Sequence, residues 1–277
     1  MNRRIILYSL FLMAIFGLAA LVAFVGPHLG IMRGGLTAEV SAPAGLTTDT
    51  WGIFDPATGE LIAGEHASDA RPIASVAKLF TAYAVMASEK RDDLVTISAG
   101  DVATEGRAGK LYVGERMTPY KLLFPMLIES SNDAAEAARR TLGVDFTKNV
   151  TNIESDLGLK NTTLADGAGL SPKSVSSVED LSRFYAHLKK TYPHVLDITR
   201  LNMYIDDHTG YVNNDPARSL TTFEGGKNGY TDEAARTFVG TFSKDGAEVG
   251  IVLLGSTDIV RDIERLLAFR KSPKGGF

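Results

Sequence analysis

The chain contains no cysteine. That removes disulfides, thiol nucleophiles and cysteine-ligated metals, and it leaves the compartment open, since a cysteine-free chain suits either side of a membrane. Histidine is scarce as well. The five present, His28, His66, His187, His194 and His208, form no metal-type spacing, and nothing local favours a serine–histidine pair. A surplus of basic charge is also missing. Net charge is −4 and the pI is near 5.8, so no basic face calls for nucleic acid. What remains is 277 residues, 44% hydrophobic and 22% charged, enough for one sizeable domain with extras and without internal repeats.

The first of those extras is at the start. Asn2-Arg3-Arg4 precedes an apolar or small-residue run from Ile5 to Val25, broken only by Tyr8 and Ser9. Such a run matches the roughly 20 residues that cross a bilayer and is long for a signal-peptide core. Arg3 and Arg4 hold the N-terminal side in the cytoplasm and send the rest outside. The nearest small-x-small site beyond the run, Ala42-Pro43-Ala44, is distant and carries proline, which favours an uncleaved anchor over a secreted product. The expected organisation is a signal anchor at 1–26, a linker at 27–47 rich in Gly, Ala and Pro, one catalytic domain at 48–270 and a tail at 271–277.

Within the domain, Trp51 to Glu65 reads as two short strands about a turn at Pro56 to Gly59. Val76, Leu79, Phe80, Tyr83 and Met86 recur at helical spacing, and Ala82, Ala84 and Val85 make the opposite side apolar too, which predicts a central helix. Thr118-Pro119 is a cap followed by proline at the first helical position, opening a helix from Tyr120 to Ile128. Helices are also predicted at Ala134 to Leu142, Phe146 to Leu157, from Ser177 to about Lys190, and Asp258 to Phe269. Thr191 to Pro216 reads as loop-rich, with Tyr192, Tyr204 and Tyr211 as either core or pocket residues. Arg236 to Phe242 and Glu248 to Leu254 form a hairpin about Lys244-Asp245-Gly246. Strands at both ends with helices between predict an α+β domain in which the first and last segments share an antiparallel sheet, flanked by helices and a helical lobe.

One short stretch carries chemistry, Pro72-Ile73-Ala74-Ser75-Val76-Ala77-Lys78. If Ser75 starts the central helix, its hydroxyl and the Lys78 amine share a face one turn apart. A serine hydroxyl needs a neighbouring base, and a lysine supplies one where burial or nearby cations lower its affinity for protons. The plainer reading is a helix cap followed by a solvated lysine. Two later stretches decide between them. Ser130-Ser131-Asn132 lies at a tight polar corner between helices, and Gly226-Lys227-Asn228-Gly229 precedes the hairpin.

Taken in order, Ser75-x-x-Lys78, Ser130-x-Asn132 and Lys227-x-Gly229 resemble the active-site signature of penicillin-binding proteins and serine β-lactamases. The flanks Pro72 to Ala82, Met117 to Ala135 and Gly226 to Ala235 resemble the D-alanyl-D-alanine carboxypeptidase family, the low-molecular-weight penicillin-binding proteins, over roughly Thr50 to Phe269. The resemblance implies an acyl-enzyme on Ser75, with Lys78 as base and Ser130 passing a proton to the leaving amine. It implies that Asn132 holds Lys78 and the substrate amide, and that Lys227 keeps the site positive. Substrate contacts then fall to Asn228, Gly229 and Tyr230, with the N–H groups of Ser75 and Tyr230 as oxyanion hole and Arg261 gripping a terminal carboxylate. No metal or cofactor is implied. The implied partners are peptidoglycan stem peptides, β-lactam antibiotics as covalent inhibitors, and the cytoplasmic membrane through the N-terminal helix, with catalysis on its outer face.

One position departs from the family pattern. Asn228 stands where a threonine or serine hydroxyl is usual, which changes the grip on a carboxylate and leaves acylation untouched. A DD-endopeptidase cutting crosslinks would use the same residues. A β-lactamase would need a further carboxylate to activate water, and the one candidate, Asp166 in Asp166-Gly-Ala-Gly-Leu-Ser171, reads as a turn residue. A catalytically impaired interaction module is the remaining alternative.

Overall fold

A computed structural model of the chain describes residues 42–269, apart from 107–108 and 207–208. The expected membrane segment at 1–26, the linker as far as residue 41 and the tail at 271–277 lie outside the described residues. Among the described residues no helix is long and apolar enough to cross a membrane.

Five strands make the main sheet: β1 (Thr50–Phe54), β2 (Leu61–Glu65), β3 (Phe223–Thr231), β4 (Ala235–Lys244) and β5 (Ala247–Ser256). Their order is β2-β1-β5-β4-β3, antiparallel throughout. The first and last strands do share the sheet, with Thr50 opposite Leu254 and Phe54 opposite Gly250. β3 is left as an edge strand.

Alternation along the strands sorts side chains between two faces. Trp51, Ile53, Phe238, Phe242, Ile251 and Leu253 form one apolar layer with Ile259, Ile263, Leu266 and Leu267 of α7 (Ile259–Phe269). Phe54, Val239, Val252 and Leu254 pack on the other side with the helices of the middle of the chain. There α1 (Ala77–Met86) is buried along eight of its ten residues, as its apolar flanks predict. Phe80 stacks on Phe184 of α5 (Val178–Thr191) with centroids 3.7 Å apart. Around α1 lie α2 (Pro119–Phe124), α3 (Asn132–Leu142) and α4 (Val144–Asp156), whose buried residues join the same core.

The structure corrects the sequence reading in two places, both at prolines. The helix opened by Thr118, whose hydroxyl accepts from Lys121 N at 3.2 Å, does not run to Ile128. It gives way at Pro125 to a π turn over Pro125–Glu129, because proline has no N–H to continue the ladder. Thr191 to Pro216 is not mostly loop. Pro193 stands at the first turn of α6 (Pro193–Arg200), where its fixed φ starts a helix, and a small hairpin of Met203–Ile205 with Gly210–Val212 follows. Tyr192, Tyr204 and Tyr211 are packing residues there; Tyr204 stacks on Phe124 at 3.9 Å and Tyr211 is fully buried. At the other end of the domain, Thr47 bonds the buried Asp262 of α7.

Candidate active site

Ser75 occupies a short 3-10 turn, Ala74–Val76, that leads directly into α1. Ala74 just before it holds φ 46, a left-handed conformation that costs an alanine free energy and persists only under outside restraint. The restraints are visible. Ile73 N donates to Ser174 O at 3.0 Å, and the Thr237 hydroxyl of β4 donates to Ile73 O at 2.8 Å. Gly169, at φ 77, approaches so closely that a Cβ there would stand 1.8 Å from Ala74 O. Only glycine fits that contact.

One turn on, Lys78 is fully buried while Ser75 stays half-buried. Its Nζ donates to Ser75 Oγ at 2.7 Å, to Asn132 Oδ1 at 2.7 Å and to the carbonyl of Ala168 at 3.0 Å. These three partners are uncharged, and water is excluded from the amine. An amine so placed, within reach of a hydroxyl, can accept that hydroxyl's proton.

The second motif follows from the π turn. Its extra residue leaves Ser130 in the left-handed region at φ 64, half-buried, and Ser131 N reaches back to Pro125 O at 3.1 Å. Ser131 then caps α3 by accepting from Ala134 N at 2.9 Å. Asn132 is thereby fixed at the first position of α3, 4% exposed, its Oδ1 on Lys78 and its Nδ2 donating to Glu105 O at 2.8 Å.

The third motif lies on the edge strand. Lys227 and Gly229 pair with Val239 and Thr237, so they share the face on which Thr237 touches the Ser75 turn. A Cβ on Gly229 would come within 2.5 Å of Ser75 N, which places this strand against the nucleophile. Lys227, two residues or about 7 Å earlier on that face, is 2% exposed. Its Nζ donates to Asn228 O at 2.8 Å and stands 3.4 Å from Asn228 Oδ1.

Alternate N–H groups of β3 point off the sheet edge. Gly226 N donates to Thr199 Oγ1 at 3.0 Å, and Asn228 N donates to Asp215 Oδ2 at 3.0 Å. Tyr230 N is next in that row. Ser75 N lies beside the same strand, at Gly229. The Tyr230 ring itself is 59% exposed, bonded to Asp232 and covered by Arg236.

Arg261 is not brought to this group. It is exposed on α7, which covers the opposite face of the sheet, and its N–H bonds the Asp258 side chain that opens the helix. Asp166 is a turn residue, as read: Oδ1 accepts from Ala168 N at 2.8 Å and Leu170 N at 3.1 Å, and Oδ2 from Ser171 N at 2.8 Å. That turn has a further role that the sequence reading missed, since it presents the Ala168 carbonyl to Lys78. The glycines at 167 and 169 were the available signal. Asp215 was missed too. Burial pushes its carboxyl above the usual carboxylate range, opposed by the nearby charge of Lys227. Among the described residues no cluster of His, Asp or Glu is placed to hold a metal ion.

Known proteins resemble the chain in sequence and in fold. The family model described as D-alanyl-D-alanine carboxypeptidase matches residues 37–258. A D-alanyl-D-alanine endopeptidase of Haemophilus influenzae is 27% identical over 235 residues, 78% of each chain. A D-alanyl-D-alanine carboxypeptidase of Mycobacterium tuberculosis is 26% identical over 215 residues, 74% of each chain. Among solved structures, penicillin-binding protein D2 of Listeria monocytogenes in its cefotaxime-bound form superposes with a TM-score of 0.71 at 27% identity, covering 81% of this chain and 97% of that one.

Proposed function

The chain belongs to the D-alanyl-D-alanine carboxypeptidase family, and from that membership we propose that it removes the terminal D-alanine of peptidoglycan stem peptides through an acyl-enzyme on Ser75. The observation that carries the proposal is the 2.7 Å contact between Ser75 Oγ and the fully buried Nζ of Lys78, itself held by Asn132.

In this reading the contact carries a proton from hydroxyl to amine as Oγ bonds the carbonyl carbon of the scissile peptide. Negative charge gathers on the carbonyl oxygen, against the N–H groups of Ser75 and Tyr230. Ser130 passes a proton to the leaving nitrogen as the C–N bond breaks, releasing D-alanine and leaving an ester on Ser75. Water then adds to the ester, and Oγ leaves with the proton returned to it. Lys227 attracts the substrate's terminal carboxylate, with Asn228 beside it. β-Lactams would acylate the same oxygen, as suits a chain similar to a penicillin-binding protein solved with cefotaxime.

A second reading keeps this chemistry and cuts crosslinks. It is favoured by the similarity to an endopeptidase and by Asn228 in place of the usual hydroxyl. Both readings place the domain outside the cytoplasmic membrane, tethered by the apolar run from Ile5 to Val25 that follows Arg3 and Arg4. Mass spectrometry of peptidoglycan fragments incubated with the protein separates them. Pentapeptides losing one alanine support the carboxypeptidase, dimers becoming monomers support the endopeptidase, and unchanged fragments overturn both.

A further inference from the structure

The outer edge of β3 carries one group that the acylation chemistry does not use. Asp215 enters from the segment between the Gly210–Val212 strand and the Pro216–Ser219 turn, and each of its oxygens has a backbone donor. Oδ1 accepts from Ala217 N at 2.9 Å, and Oδ2 accepts from Asn228 N at 3.0 Å. Both oxygens accept from backbone N–H groups, a geometry that suits a carboxylate, and these donors together with the charges of Lys227 and Arg218 oppose the burial that pushes the carboxyl above its usual range.

Its position is rigidly determined. Asp215 N donates to Asn213 Oδ1 at 3.0 Å, and the buried Asn213 side chain donates to Thr199 O and Leu201 O at the end of α6. Thr199 in turn accepts from Gly226 N, so α6, the Asp215 segment and β3 are bonded in a closed loop. The charges that Asp215 meets are Lys227 on β3 and Arg218 in the following turn. Arg218 is already engaged by Asn213 O and the Asn202 side chain.

A site that recognises a terminal carboxylate by one ammonium depends on the net field at that ammonium. Here the ammonium also donates to Asn228 O, and the adjacent side chain is an amide whose oxygen faces it. We propose that Asp215 is a specificity-determining residue: its charge offsets that of Lys227, so that the site discriminates only weakly between peptides ending in a free D-alanine carboxylate and the same peptides ending in a neutral carboxamide. The inference rests on the acyl-transfer reading of Ser75, and holds whether the product is D-alanine or a cleaved crosslink.

The test is competition against fluorescent penicillin on the full chain. An acyl-D-Ala-D-Ala peptide and its C-terminal carboxamide are each titrated, and the ratio of their half-blocking concentrations is read. That ratio does not depend on how much of a preparation is folded, so a merely structural role for Asp215 would leave it unmoved. Asp215→Asn should favour the free acid over the amide about tenfold more than wild type does. Asp215→Ser, which can still accept from Ala217 N, should move the ratio the same way. An unchanged or reduced ratio in either variant overturns the inference. Should neither variant fold, the wild-type ratio decides: below about tenfold supports weak discrimination, and a larger ratio overturns it. A wild-type chain that takes up no penicillin at all would sink the acyl-transfer reading, and the inference with it.

Discussion

The helical wall and the sheet wall of the site differ in how their polar groups are engaged. On the helical wall, Lys78 has three uncharged acceptors and Asn132 is bonded at both ends of its amide. On the sheet wall, the outer N–H row of β3 is engaged at Gly226 by Thr199 and at Asn228 by Asp215, with Tyr230 next in the row. The first wall is an interior, built to hold one reaction geometry. The second is an edge, where a single residue can be changed without disturbing the contact between Ser75 and Lys78. Asn228, where the sequence differs from the motif it resembles, lies on the second wall.

The sharpest way to break this contrast is to remove the base. Lys78→Ala should slow penicillin acylation about a thousandfold while leaving the circular dichroism spectrum unchanged, and near-normal acylation would deny Lys78 its role. Smaller, but still large, is the effect of bringing the walls apart. Gly229→Ala places a Cβ within 2.5 Å of Ser75 N and should cost about a hundredfold in acylation rate, read by stopped-flow labelling. A variant of ordinary rate would mean that β3 does not border the nucleophile.

Changes confined to recognition should be milder. Asn228→Thr should raise release of D-alanine from a pentapeptide about fivefold, the effect of one better hydrogen bond to a charged group. A fall would show that the amide serves a different substrate. Smallest of all is Arg261→Ala. Exposed on α7 beyond the sheet, it should change acylation by less than about twofold and stability by less than about 0.5 kcal/mol, by denaturant titration. A strong loss of peptide binding would restore the carboxylate role that its sequence context implied.

Much of the helical wall was legible because its determinants are local. Ser75 and Lys78 are one turn apart, the apolar flanks of α1 bury the lysine, and Ser130 to Asp133 form a corner between two predicted helices. The shared sheet was also readable, since strands of alternating apolar residues at both ends of a chain with helices between have few ways to pair. Contacts made by backbone atoms were not. The Ala168 carbonyl reaches Lys78 across 90 residues of sequence, and alanine as a residue type advertises no such role. Asp215 was hidden for a related reason: an Asp-Pro pair between helix and strand reads as a turn, and its contact with Asn228 N exists only once β3 is an edge. Arg261 shows the converse error. Its place in the sequence resembled a functional arginine, but the helix carrying it packs on the far face of the sheet.

The central claim is that the oxygen of Ser75 is the nucleophile, and it is tested most directly by locating a covalent adduct. Full-length protein incubated with benzylpenicillin, digested and analysed by mass spectrometry should carry the intact drug on the peptide containing Ser75, and Ser75→Ala should carry none. An adduct on another residue, or an undiminished adduct in Ser75→Ala, would contradict the account.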